Sequence, residues 1–264
     1  LEFNRYGGVP TRDWLAMKVV RAAGLPGARV RHFKVSINGL DRGVYQVIEP
    51  VDREFLEAWF ANPDGNLYEG GYIKETNEED PDDCDVTAVN DLITLERLGS
   101  DHSGFVAAFS RIVNVTQNLR VMAVEAVFPT VDNFVNGSTN FYWYHHPGQG
   151  FVAIPWDMDA VLQDEEDILA FTGAQGKRSK LLDLVFEIPE WRKQFEDALL
   201  EIRDGPFVAL HSDIDRMCNL LRPLVLADDA YLADHSPSDY DEDCAEMHRL
   251  LDLRVTVLKQ TLGR

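Results

Sequence analysis

Residues 132–159 read Asp132-Asn-Phe-Val-Asn-Gly-Ser-Thr-Asn140-Phe-Tyr-Trp-Tyr-His-His146-Pro-Gly-Gln-Gly150-Phe-Val-Ala-Ile-Pro155-Trp-Asp-Met-Asp159. Two runs rich in aromatic and β-branched residues, 141–146 and 151–154, flank a Pro-Gly-Gln-Gly turn, which is the pattern of a β-hairpin. A hairpin returns the chain to the end from which it started. The acids before its first strand and after its second must therefore meet, so Asp132, Asn140, Asp157 and Asp159 are expected to converge. Three carboxylates and an amide at one place repel unless a cation neutralises them, and hard oxygen ligands of this kind suit Mg²⁺ or Mn²⁺. Mg²⁺ held by few carboxylates completes its shell with water and phosphate oxygens. A phosphoryl-transfer site is built this way: one Asp orients a hydroxyl, while an Asn and a second Asp hold metal against the phosphates. Taken singly, the same residue types also cap loops and turns.

The aromatic residues of this stretch, Tyr142, Trp143 and Trp156, read as core packing. His145 and His146 are adjacent on a strand and point to opposite faces, so they are not expected to share one metal ion. Working outward, a helix is expected over Thr11–Ala23, with Thr11 as its cap, Asp13 in its first turn and Gly24 with Pro26 ending it. A hairpin follows, with Phe33, Val35 and Ile37 on one face and Asn38-Gly39 at its turn. Its return strand ends at Glu49-Pro50. Asp52 then caps a helix carrying Phe55, Leu56, Trp59 and Phe60, and a short strand is expected at Leu67-Tyr68. Seven acids between Glu75 and Asp85 read as a solvated loop, because the segment lacks the glycine and terminal glutamate of an EF-hand calcium loop. From Ser103 to Val131 apolar residues recur at helical spacing up to Pro129. Helices are expected again after residue 180, with Pro189 starting one, Gly205-Pro206 separating the next, and the last running from Asp239 to Leu262.

Composition bounds the function. The chain has 264 residues, with 25 Lys and Arg against 45 Asp and Glu, a net charge of −20. A 45% hydrophobic share can fill a core, so the acidity is not that of a disordered tail. A nucleic-acid or anionic-membrane binder needs a basic face, which this charge opposes. No apolar run is long enough to span a membrane. Three cysteines, Cys84, Cys218 and Cys244, offer neither a CxxC pair nor an even framework, but leave room for one disulfide.

The strand ending Val47-Ile48-Glu49, followed by Pro50-Val51-Asp52 and a helix, resembles the interlobe hinge of a protein kinase. A wider likeness is carried by Arg21-Ala-Ala-Gly-Leu-Pro26, Asn38-Gly39, Gly43-Val-Tyr45, Glu49-Pro-Val-Asp52, Gly65-Asn-Leu-Tyr68, Asp132, Asn140-Phe-Tyr142 and Ile154-Pro-Trp-Asp-Met-Asp159. In this order and spacing the chain resembles the spore coat protein H (CotH) kinase family, an atypical protein-kinase-like family, over nearly its whole length. The resemblance implies an α+β, two-lobed kinase-like fold. Residues 1–50 would be part of the small lobe, ending in the hinge-like strand. Residues 51–264 would form the larger, mainly helical lobe with the hairpin at 132–159. It also implies ATP with Mg²⁺ or Mn²⁺ as cofactors, and transfer of the γ-phosphate to Ser or Thr of a protein substrate, an exported, spore-coat or surface protein. A basic, Ser-rich substrate would suit the charge, and the location implied is extracytoplasmic.

Residue by residue, Asp132 matches the catalytic aspartate and Asp157 the metal-binding aspartate. Asn140 is the second metal ligand and Asp159 a further candidate, which sequence does not separate from Asp157. Glu49, Pro50 and Val51 form the nucleotide hinge, and Trp156 packs beneath the site. The chain departs from other kinases in having no His-Arg-Asp and no Asp-Phe-Gly. The glycine-rich phosphate loop and its lysine are expected on strands that would precede Leu1. Glu69 stands where family members often carry Lys, and none of Lys18, Lys34 and Lys74 has a distinct claim to the phosphate. These departures keep two alternatives open: a catalytically weak structural or adhesion protein of a coat or cell surface, and a metal-dependent hydrolase using the same acids.

Overall fold

The computed structural model describes residues 8–69, 73–76, 102–130, 132–135, 139–169 and 187–264. The 141–155 hairpin forms as its pattern requires. Strand β5 (Phe141–His146) pairs antiparallel with β6 (Gly150–Pro155), setting Tyr144 opposite Val152 and Phe141 opposite Pro155. Strands β3 (Asn66–Glu69) and β4 (Ile73–Thr76) extend the sheet on the other side, in the order β4-β3-β5-β6. Gly65 permits the close approach at the start of β3, since a Cβ there would stand 2.1 Å from the His145 carbonyl oxygen. Both faces of the hairpin are covered. Trp143 packs against Phe134 and Phe151 on one side, and Tyr144 against Phe60 on the other. The two histidines diverge as alternation demands, His145 stacking on Phe151 and His146 lying near Phe60.

A two-stranded ribbon of β1 (Val30–Ile37) and β2 (Leu40–Ile48) forms the second sheet. Phe33 and Ile37 are each 51% exposed, because only the base of a two-stranded ribbon reaches the core, where Val30, Val44 and Gln46 are buried. Helix α1 (Arg12–Ala22) buries Leu15, Ala16, Val19 and Val20 as expected. Thr11 precedes it but does not cap it: its hydroxyl is buried without a hydrogen-bond partner. Asp52 does cap α2 (Arg53–Trp59), accepting from the Phe55 N–H at 3.0 Å.

The single helical run expected over 103–131 is two helices, α3 (His102–Ile112) and α4 (Val115–Val127). The break has a tertiary cause. Val113 bridges to Phe151, the Asn114 N–H donates to the Phe151 carbonyl at 3.0 Å, and the Asn114 side chain caps α4 through the Gln117 N–H at 3.1 Å. One turn on, buried Asn118 accepts from the Ala153 N–H and donates to the Phe151 carbonyl, both at 2.8 Å, which docks α4 on β6.

Short α5 (Glu165–Leu169) precedes α6 (Pro189–Ile202), which starts at the expected proline. Gly205-Pro206 separates α6 from the next helix as expected, and the separator itself is a π-helical turn, Arg203–Phe207. Helices α7 (Leu210–Val225), α8 (Asp229–Asp234) and α9 (Pro237–Leu262) complete the chain. Ser236 and Asp239 form a capping box, so α9 starts at Pro237, two residues before the expected Asp239. Cys218 and Cys244 form a disulfide between α7 and α9, the one pair the cysteine count allowed. The acidic run expected as a loop lies, beyond Thr76, outside the described residues. The architecture is mixed α+β with small antiparallel sheets, and its buried apolar residues form one cluster from Val9 to Leu258.

Candidate active site

Asn140 sits immediately before β5 with φ of 55°, a left-handed conformation that Asn tolerates better than most residues. Its side-chain amide donates to two main-chain carbonyls, those of Asp132 at 3.2 Å and Asp157 at 3.1 Å. Its own carbonyl accepts from the Trp156 N–H at 3.0 Å. Two carbonyl acceptors fix which end of the amide is nitrogen. The oxygen end, which accepts from the Thr139 hydroxyl at 3.2 Å, is the end with lone pairs for a cation. The segments carrying Asp132 and Asp157 are therefore brought together and one side chain joins them, through main-chain carbonyls and not through a cluster of the three expected carboxylates.

Asp132 is exposed, with its N–H held by the Thr130 hydroxyl at 3.0 Å, while Asp157 and Asp159 are half-buried. Asp157 also has a positive φ, 47°. Trp156 is half-buried and meets Tyr142 edge-on, with ring centroids 5.8 Å apart.

Two further acids hold this site and were not singled out from sequence. Asp13, fully buried on α1, accepts from the Met158 N–H at 3.0 Å, in the segment between Asp157 and Asp159. Its other oxygen accepts from the Gln46 amide at 3.3 Å, and Gln46 accepts from the Trp14 N–H at 3.2 Å. Helix α1 and strand β2 are thereby tied to the Asp157 segment. Glu125 on α4 is buried and accepts from the Phe134 and Val135 N–H groups at 3.3 and 2.9 Å, clamping the loop that follows Asp132. Burial raises the Glu125 carboxyl to about 8, against the lowering effect of those two N–H donors. An acid in the first turn of a helix reads as a complement to the helix dipole. The available signal for Glu125 was a lone acid within an apolar helix.

The hinge candidates sit at the base of the ribbon. The Glu49 carboxylate is held by Arg29, accepting from its main-chain N–H at 2.9 Å and from Nε at 2.8 Å. Burial pushes that carboxyl up, but the Arg29 hydrogen bonds outweigh it and leave it below its usual range. Pro50 is exposed and Val51 buried. Lys18 is paired with Asp213, and Lys34 with Asp41.

Among the described residues no three His, Cys, Asp or Glu side chains are gathered into a ready metal cage. The donors at the junction are carboxylate and amide oxygens. That set fits Mg²⁺ or Mn²⁺, which take one or two carboxylates and fill the remaining positions with water and phosphate oxygens. Among the described residues no helix is long and apolar enough to cross a membrane.

Comparison with known families places the chain in the class of kinase-like proteins. The family model described as CotH kinase protein matches residues 10–258, and the chain belongs to the CotH kinase family. Membership implies, in general terms, use of ATP and a divalent metal and action on a protein substrate. No curated protein matches the chain.

Proposed function

We propose that this chain has a two-lobed, protein-kinase-like architecture and transfers the ATP γ-phosphate to Ser or Thr of an exported protein. The observation that carries the reading is the Asn140 side chain, which joins the Asp132 loop to the Asp157 segment. In this reading Asp132, exposed at the junction, orients the acceptor hydroxyl and takes its proton. Asp157, with Asn140 and Asp159, holds the divalent cation, which when bound neutralises charge on the phosphates. Asp13 and Glu125 keep the two segments at fixed positions. Glu49, Pro50 and Val51 serve as the nucleotide hinge, with Trp156 packed under the site. The net charge of −20 favours a basic, Ser-rich substrate. The Cys218–Cys244 disulfide suits an oxidising, extracytoplasmic setting.

Thermal melting of the chain with ATP and Mn²⁺ tests the site. A ligand selective for the folded state at 100 times its Kd stabilises by about 2.7 kcal/mol. The melting temperature is expected to rise for the wild type and to stay unchanged for Asp157→Ala. No rise in the wild type, or an equal rise in the variant, overturns the assignment and favours a kinase-fold structural or adhesion role.

A further inference from the structure

Away from the acidic junction, helices α7 and α9 each carry a His-x-x-x-Asp pair, His211 with Asp215 and His248 with Asp252. Residues four apart share a helix face, and here the two pairs cross. His211 Nε2 meets Asp252 Oδ1 at 3.0 Å, and His248 Nε2 meets Asp215 Oδ1 at 3.1 Å. The two Nδ1 atoms are left 2.7 Å apart. The ring planes lie within 5° of each other with centroids 5.0 Å apart, so the rings meet edge to edge with the nitrogens aimed at each other.

Proton accounting gives this arrangement its meaning. A carboxylate against Nε2 requires a proton there, so in a neutral ring the Nδ1 atom is a bare acceptor. Two bare acceptors at hydrogen-bond distance repel unless a positive centre lies between them. One shared proton meets that need, and so does a metal ion. The ring partners match the second case: a metal-ligating histidine commonly donates its other N–H to a carboxylate, which fixes its tautomer and raises its basicity. The histidine side chains are 34% and 28% exposed, so solvent can reach the pair and supply the remaining ligands. With metal–nitrogen bonds of about 2.0–2.1 Å, a tetrahedral angle at the ion sets the two nitrogens about 3.3 Å apart, so the rings must part by about 0.6 Å and tilt until both lone pairs meet the ion.

We propose that His211 and His248 form a two-nitrogen site for a borderline divalent transition metal of the Zn²⁺ or Ni²⁺ type, oriented by Asp252 and Asp215. The site joins α7 to α9 and is independent of the phosphoryl-transfer reading.

The test is calorimetric titration of ZnCl₂ into the chelator-stripped full chain, alongside His211→Asn, His248→Asn, Asp252→Asn and Asp157→Ala. The expected result is one Zn²⁺ per chain in the wild type. Affinity should fall at least about tenfold in either histidine variant, fall about 10–100-fold in Asp252→Asn, and be unchanged in Asp157→Ala. Far-ultraviolet circular dichroism matching the wild type shows that a variant has folded; a histidine variant that fails this check is replaced by His→Gln. No stoichiometric binding, or binding that survives both histidine substitutions, overturns the proposal and leaves a shared proton as the occupant.

Discussion

Asp13 has no contact with solvent, yet both of its oxygens are used, one by the Met158 N–H and one by the Gln46 amide. Asp13→Asn replaces one acceptor with an NH₂ group facing a donor. It is expected to cost about 1–3 kcal/mol, measured by urea unfolding; an unchanged midpoint would show that this link does not hold the segment. Glu125 gives a pH signature. The folded chain keeps a proton on Glu125 up to about pH 8, whereas the unfolded chain loses it near the ordinary value of 4.5. Between those values the native state binds more protons, so this group's contribution to stability falls as pH rises, then levels off above about 8. Glu125→Gln removes the titration, so its melting temperature should decline less than the wild type's across that window; parallel declines would contradict the assignment. Neither residue could be identified from sequence, because burial of an acid depends on elements far away in the chain. The meeting of the Asp132 and Asp157 segments could be expected, because hairpin geometry alone brings them together.

At the scale of elements, legibility followed locality. The β5–β6 hairpin was readable because its turn residues and alternation lie within the strands themselves. The break between α3 and α4 was not, because the apolar spacing runs on through Val113 and what interrupts it is the Phe151 carbonyl, over 30 residues away. The same holds for the ribbon. Alternation correctly marked β1 as a strand, but whether Phe33 and Ile37 are covered depends on what packs there, which strand pattern does not encode. Gly205-Pro206 reads as a stop by local propensity, and the α-helix does end there, although as a π turn that the local residues do not specify. Asn114 is the residue that starts α4, so Asn114→Ala should lower stability by about 1 kcal/mol, read as a shift in denaturant midpoint. A loss within error would mean that the Phe151 pairing alone positions the helix.

Across the whole molecule, the net charge of −20 is distributed among many roles. Asp13 is buried and structural, Glu125 is buried and keeps its proton at neutral pH so that it adds no charge, Asp213 neutralises Lys18 and Arg216, and Asp241 pairs with Arg222. In the proposed reading, Asp132, Asp157 and Asp159 at the open end of one hairpin serve metal and nucleotide. The central claim is that this junction transfers phosphate, and the most direct measurement is incorporation of label from γ-labelled ATP with Mn²⁺ into a basic, Ser-rich protein. The account predicts transfer by the wild type, reduced about 10²–10⁴-fold in Asp132→Asn and abolished in Asp157→Ala. Transfer that persists undiminished in both variants would contradict it.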